Sequence, residues 1–177
     1  RKGHSCLVAA LLRTLDAEVA VTLGEEAGGL FNDFHKFFDN IKPHILLEKA
    51  IKASFPLRQL LFAMQQHLAP RVIQANAISS SAKLINTSIL AGCKFSVALT
   101  RALLLEGYTK LDSDNRGVQI GVQVDDTPIT SSDRTREGLE TKLLNAAIDF
   151  QQITNHLELP LSGKAEVCCS NPDTAKS

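Results

Sequence analysis

Three acidic residues carry most of the chemistry this sequence offers. Asp125 and Asp126 stand side by side after an alternating run, and Asp33 closes an earlier short run, Ala27-Gly28-Gly29-Leu30-Phe31-Asn32-Asp33. Adjacent carboxylates repel, and in a tight turn the repulsion is costly unless solvent or a cation offsets it. Alone, an Asp-Asp pair also suits a solvated β-turn, because Asp favours turns. A third carboxylate changes the reading. If the strand ending at Asp33 lies beside the hairpin of Asp125 and Asp126, the three form an oxygen-rich pocket. Such a pocket suits Mg²⁺, which takes one or two protein carboxylates with phosphate oxygens and water. Two such ions side by side drive phosphoryl and nucleotidyl transfer.

The elements that must position these residues are visible as patterns. Ser5 can cap a helix carrying Leu7, Leu11, Leu15 and Val19 on one stripe and ending before Gly24. Pro43 and Pro56 each start a helix, and Pro70 stops the second. Arg71 to Ala75 and Leu84 to Leu90 read as a hairpin around Ser79-Ser80-Ser81. Phe95, Leu99, Ala102, Leu103 and Leu105 predict a buried helix ending near Gly107. Gly117 to Val124 alternates with period two and predicts a strand, turned by Asp125-Asp126-Thr127-Pro128, with Ile129 and Thr130 starting the return. Ser132 or Asp133 caps the best helix, whose stripe is Leu139, Leu143, Ala146, Ala147, Phe150, Ile153 and Leu157. Glu158 to Ser162 and Glu166 to Cys169 read as a closing strand pair. Strands mixed with helices predict an α+β fold, a mainly antiparallel sheet with helices packed on one face.

Composition bounds the function classes. The 177 residues are 44% hydrophobic and 21% charged, which fits a globular chain of about one domain. No apolar run is long enough to cross a bilayer, so no membrane partner is expected. The four cysteines, Cys6, Cys93, Cys168 and Cys169, include no C-x-x-C pair, which argues against a zinc site and for a reducing, intracellular compartment, cytoplasmic or nuclear. Met64 is the only methionine, so the chain reads as a piece of a longer product. Net charge is zero, but its distribution is uneven. Residues 49–105 carry seven Lys/Arg (Lys49, Lys52, Arg58, Arg71, Lys83, Lys94, Arg101) and no acid. That stretch is either a solvated basic surface or a surface for a polyanion.

The same residues carry a resemblance. Asn32-Asp33-Phe34-His35-Lys36-Phe37-Phe38-Asp39-Asn40 resembles the first palm motif of retroelement-type reverse transcriptases. Ser88-Ile89-Leu90-Ala91-Gly92-Cys93-Lys94-Phe95-Ser96 is similar to the family's Gly- and Ser-containing loop with its following helix. Gln123-Val124-Asp125-Asp126 stands where the family has its aromatic-x-Asp-Asp hairpin, with Gln123 in the aromatic's place. Leu157 to Lys164 resembles the segment leading to the palm lysine, and Arg1 to Ser5 the basic stretch upstream of the first motif.

The resemblance implies a ferredoxin-like polymerase palm over residues 26–170 with a partial fingers insertion. A fingers-proximal helical segment over 1–25 precedes it, and a polar tail over 171–177 follows. It implies RNA-directed DNA polymerase chemistry: attack of a primer 3′-hydroxyl on a deoxynucleotide triphosphate, assisted by Mg²⁺ or Mn²⁺. Asp33 and Asp125 would bind the metals, with Asp126 adjacent. Phe38 would lie under the incoming sugar, Lys94, Ser96 and Gln123 on the substrate side, and Lys164 by the triphosphate. Arg71 and Lys83 would meet an RNA or DNA template-primer. It also implies that the thumb and other domains of a longer polyprotein would lie outside this chain. Two alternatives stay open: a catalytically inactive palm remnant that at most binds nucleic acid, and a Mg²⁺ nucleotidyltransferase unrelated to reverse transcription.

Overall fold

The computed structural model describes residues 6–171 and 174. The expected cap Ser5, the basic stretch 1–5 and most of the tail 171–177 lie outside the described residues. Helix α1 (Cys6–Thr22) leads into strand β1 (Glu26–Asn32), a short helix α2 (Phe37–Asn40), then α3 (Pro43–Lys52) and α4 (Leu57–Leu68). A small ribbon, β2 (Gln74–Ala75) and β3 (Ile78–Ser79), precedes the long helix α5 (Ser96–Asp114). The strands β4 (Val118–Ile120) and β5 (Thr127–Asp133), helix α6 (Arg136–His156) and strand β6 (Glu166–Cys169) complete the order.

The main sheet has the strand order β4-β5-β1-β6, and each neighbouring pair is antiparallel. With α5 and α6 as crossovers, the sequence β1-α5-β4-β5-α6-β6 is an α+β fold in the ferredoxin-like arrangement that the resemblance implies. Alternation divides the sheet into two faces. Leu30 of β1, Ile129 of β5, and Val118 and Ile120 of β4 join the core with α5 and α6. Leu139, Leu143, Ala146 and Phe150 of α6 are buried, as their stripe predicts. Pro43 opens α3 at its first turn, and Leu46 and Ala50 face inward.

Helix α1 forms where expected, but its apolar stripe does not bury. Leu7 is 78% exposed and Leu11 54%, and Leu15 and Val19 are exposed too. The helix lies on the other face of the sheet, against β1 and β5, where the strand residues Ala27, Gly29, Thr130 and Ser132 are small or polar. Phe31 is the one large apolar side chain of β1 on that face, and α1 turns Ala10, Thr14 and Ala17 toward it, not its leucines.

Several expected boundaries move, each for a local reason. The hairpin of residues 71–90 turns at Asn76-Ala77, with Asn76 at φ 55°, a conformation Asn tolerates. Residues 84–90 form no strand. Ser88 and Ile89 instead donate their N–H groups to the carbonyls of Ile41 and Phe38 (3.0 and 2.9 Å). Helix α5 runs through Gly107, where the missing side chain lets α6 come close: a Cβ on Gly107 would lie 2.5 Å from Ile153 Cγ2. The α6 cap is Thr135, whose Oγ1 accepts from Gly138 N–H (3.1 Å), while Ser132 and Asp133 belong to β5. Residues 158–162 do not pair with β6. They run beside the chain after β1, with Phe34 opposite Leu161 and Ser162 N–H on Asp33 O (2.8 Å).

Candidate functional site

The strand expected over 117–124 stops at Ile120, and Pro128 explains why. Gly121 donates to Pro128 O (2.8 Å), but proline has no N–H to return, so regular pairing ends there. The chain then closes a two-residue hairpin loop of Val124 and Asp125. Gln123 and Asp126 exchange both backbone hydrogen bonds across it (2.9 and 3.0 Å). The turn is therefore earlier than expected, and Val124 sits at φ 59°, a region a β-branched residue adopts at a cost.

That shift decides which carboxylates meet. Asn32 pairs with Thr127 in the β1–β5 register, so the next residues outward, Asp33 and Asp126, stand opposite one another. Both line one open cavity of about 310 Å³, together with Gln123, Lys164, Glu166 and Arg13. Desolvation at this wall, then the charges of Asp125 and Asp33, hold the Asp126 carboxyl above its ordinary value. The resemblance pairs Asp33 with Asp125, with Asp126 adjacent. In the structure the partner inside the cavity is Asp126, and Asp125 occupies the hairpin tip. Among the described residues, no three His, Cys, Asp or Glu side chains stand close enough to share an ion.

The hairpin is held from behind. Tyr108 of α5 and Thr127, the residue after Asp126, share a 2.6 Å hydrogen bond between their hydroxyls. Both are buried, and burial pushes the Tyr108 hydroxyl up to about 12. Neither Tyr108 nor Arg13 was singled out from sequence. Arg13 has a signal: with Ala10, Thr14, Ala17 and Val21 it forms a second, non-leucine stripe at helical spacing.

The other candidates lie apart from this cavity. Phe38 is half-buried and packs edge-on to Phe37, ring centres 5.5 Å apart. Ser96 is buried, and its hydroxyl donates to Leu90 O in a short hydrogen bond. The Leu90 N–H goes to His67 Nδ1 (3.0 Å), so both backbone groups of Leu90 are held by side chains. Burial and the nearby Arg71 hold His67 below its ordinary value, in the neutral form this bond needs. Lys94 is exposed on the loop before α5. Arg71 and Lys83 pair through backbone at the base of the small ribbon, 2.9 Å in each direction. Arg71 also donates to Ser88 Oγ (3.4 Å). The basic segment is not one continuous surface. Lys49 is buried and bonded to Glu106 (2.7 Å), and Lys52 reaches Glu48 and Glu106.

No family model matches this chain, and no curated protein does. Solved structures do. The chain is similar to the apo telomerase of Candida tropicalis truncated of its C-terminal domain, with TM-score 0.67, 10% identity, and 96% of this chain on 36% of that one. Telomerase of Candida albicans in complex with the TWJ fragment of telomeric RNA matches with TM-score 0.56 and 12% identity, over 96% of this chain and 31% of that one. The corresponding Candida tropicalis complex gives 0.65 and 9%, over 93% and 29%. The chain thus spans about a third of the length of these telomerases and shares its fold with that part of them. Among the described residues, no helix is long and apolar enough to cross a membrane.

Proposed function

We propose that residues 26–170 are the palm, with part of the fingers, of a retroelement-type RNA-directed DNA polymerase. Residues 1–25 belong to the fingers-proximal segment and 171–177 to a polar tail. The partners are an RNA or DNA template-primer and deoxynucleotide triphosphates. The observation that carries the reading is the facing pair Asp33 and Asp126 at one end of a ferredoxin-like sheet, with Lys164 in the same cavity.

The donor set fits a hard divalent cation, because carboxylates line the cavity and no thiol or imidazole does. Asp33 and Asp126 would hold Mg²⁺ or Mn²⁺, with Asp125 adding charge from the tip. When bound, the ion makes the primer hydroxyl more acidic and offsets charge on the phosphate. The chain's own residues do the rest. Lys164 gives a proton to the departing pyrophosphate. Gln123 offers its amide to the nucleotide, and the open side of Phe38 meets the sugar. Lys94, Arg71 and Lys83 meet the template-primer backbone. Ser96 acts through Leu90, by fixing the loop.

The second reading, an inactive palm remnant, is favoured by one observation: Asp125 does not join Asp33 and Asp126 in the cavity. Thermal unfolding with and without Mn²⁺ separates the two, alongside primer extension. A bound ion stabilises by RT ln(1 + [M]/Kd), about 2.7 kcal/mol at a hundredfold excess over Kd. Asp126→Asn should abolish that gain and any extension. The Asp126 carboxyl is held above its ordinary value, so its ionisation destabilises the metal-free fold, which gains stability as pH falls through the folded pKa. The variant should therefore be the more stable protein without metal at neutral pH. A melting temperature that ignores Mn²⁺ in both proteins supports the remnant.

A further inference from the structure

We infer that Arg13 is a phosphate-binding residue of the carboxylate cavity, and that its ligand is a metal-chelated polyphosphate, the tail of a nucleoside triphosphate. This rests on the reading above and extends it to a residue outside every motif that suggested it.

The placement comes first. Arg13 is half-buried on α1 and reaches across the open face of the sheet to the gap where β4 loses its pairing. A Cβ built on Gly121 would lie 2.9 Å from Arg13 Nη1 and 2.8 Å from Pro128 Cγ, so the guanidinium fills a slot that only glycine leaves open. Arg13 and Phe31 line both the carboxylate cavity and the larger one, about 810 Å³, between α1 and the sheet. Arg13 therefore stands where the two cavities join.

Charge comes next. Arg13 lines one cavity with Asp33, Asp126 and Glu166, yet neither it nor Lys164 is in an ion pair among the described residues. Both cations are available to an incoming anion. With one divalent ion added, the three carboxylates, two cations and the ion sum to a single positive charge. A guanidinium offers a planar pair of donors that matches phosphate oxygens, and an ammonium acts as a point charge.

The topology selects the ligand. Arg13 stands over Gly121 and Pro128, at the β4–β5 side, and Lys164 lies just before β6, at the opposite side of the sheet. Asp126 and Asp33 lie between them, at the ends of β5 and β1. A ligand that meets both cations and an ion on the central carboxylates needs phosphoryl groups in series.

The test is calorimetric titration of the chain with inorganic tripolyphosphate in the presence of Mg²⁺. Charge-assisted contacts of this kind predict that Arg13→Ala weakens binding by about tenfold or more. Arg13→Lys should be intermediate. Gly121→Ala, which pushes the guanidinium from its slot, should act like Arg13→Ala. The Mn²⁺ shift in melting temperature should persist in Arg13→Ala, and grow, because a cation has left the carboxylate cavity; its presence also reports that the variant is folded. Wild-type affinity in Arg13→Ala, or no binding by the wild type, overturns the inference. If Lys164→Ala and Asp126→Asn weaken binding and Arg13→Ala does not, Arg13 is excluded and the polymerase reading stands. If binding depends on Arg13 but no template supports primer extension, the inference stands and the polymerase reading falls.

Discussion

The two faces of the main sheet are built from the same strands and obey different rules. On one face Leu30, Val118, Ile120 and Ile129 pack in one core with Leu111, Ala146 and Phe150. On the other, Ala27, Gly29, Gln119, Thr130 and Ser132 look across a cavity of about 810 Å³ at α1, whose leucines point to solvent. Burial of large apolar side chains is the main source of stability, so the packed face holds the fold. The open face contributes little to that and leaves room for chemistry. The carboxylate cavity shares Arg13 and Phe31 with it.

The largest test of this difference is on the packed face. Phe150 is 1% exposed and contacts both Phe34 and Tyr108, at ring-centre distances of 6.0 and 6.1 Å. Phe150→Ala should cost about 3–5 kcal/mol in urea unfolding, the usual cost of emptying an aromatic core site. A cost near zero would mean that this face does not carry the fold.

Tyr108 is where the two faces communicate, since its hydroxyl meets Thr127 directly behind Asp126. Tyr108→Phe leaves the buried Thr127 hydroxyl without that partner, at about 1–3 kcal/mol. The wild type should also lose stability at high pH. The Tyr108 pKa is raised from 10.0 to about 12 in the fold. The unfolded chain therefore loses this proton first, and the contribution present below pH 10 is lost as pH rises toward 12. Tyr108→Phe should flatten that alkaline limb, while an unchanged limb would place the titrating group elsewhere.

The packed face was legible in the sequence and the open face only partly. The stripe from Leu139 to Phe150 has helical period, and the strands opposite supply Ile129 and Leu30, so pattern and partner agree. The stripe Leu7, Leu11, Leu15 and Val19 has the same period, but periodicity names a face without naming what covers it. Small residues at Ala27, Gly29, Thr130 and Ser132 were the available sign that no leucine would dock there. The acidic site was legible as three carboxylates at strand ends. Which two meet was not, because a short shift in the turn moves a different residue opposite Asp33. Arg13 was hidden by distance along the chain, since its neighbours in the cavity belong to β1, the β4–β5 hairpin and the loop before β6.

A smaller effect sharpens the contrast at the carboxylate end. Val124 holds φ 59° in the two-residue loop beside Asp125. A non-glycine residue in that region costs of order 1–3 kcal/mol, and glycine adopts it freely but loses more entropy on folding. Val124→Gly should therefore stabilise the metal-free chain by about 1 kcal/mol. Loss of stability would mean that the valine side chain is held by contacts worth more than the strain.

The smallest effect is the most exacting, because it requires a large apolar side chain to matter little. Leu11 lies mid-helix in α1 and is 54% exposed. Replacing it with glutamine keeps the length and the helix propensity, since both residues rank close together. On a face turned to solvent the change should stay within about 0.5 kcal/mol of wild type. Were the stripe packed against the sheet, the same change would empty a core site and bury an amide, and would cost several times more. Unfolding of Leu11→Gln beside Phe150→Ala thus measures the two faces on one scale. Similar losses in both variants would show that α1 buries its leucines in solution, closing the large cavity and moving Arg13 from the carboxylates. Near-silence at Leu11 with a large loss at Phe150 leaves the open face open, with Arg13 positioned to meet a ligand there.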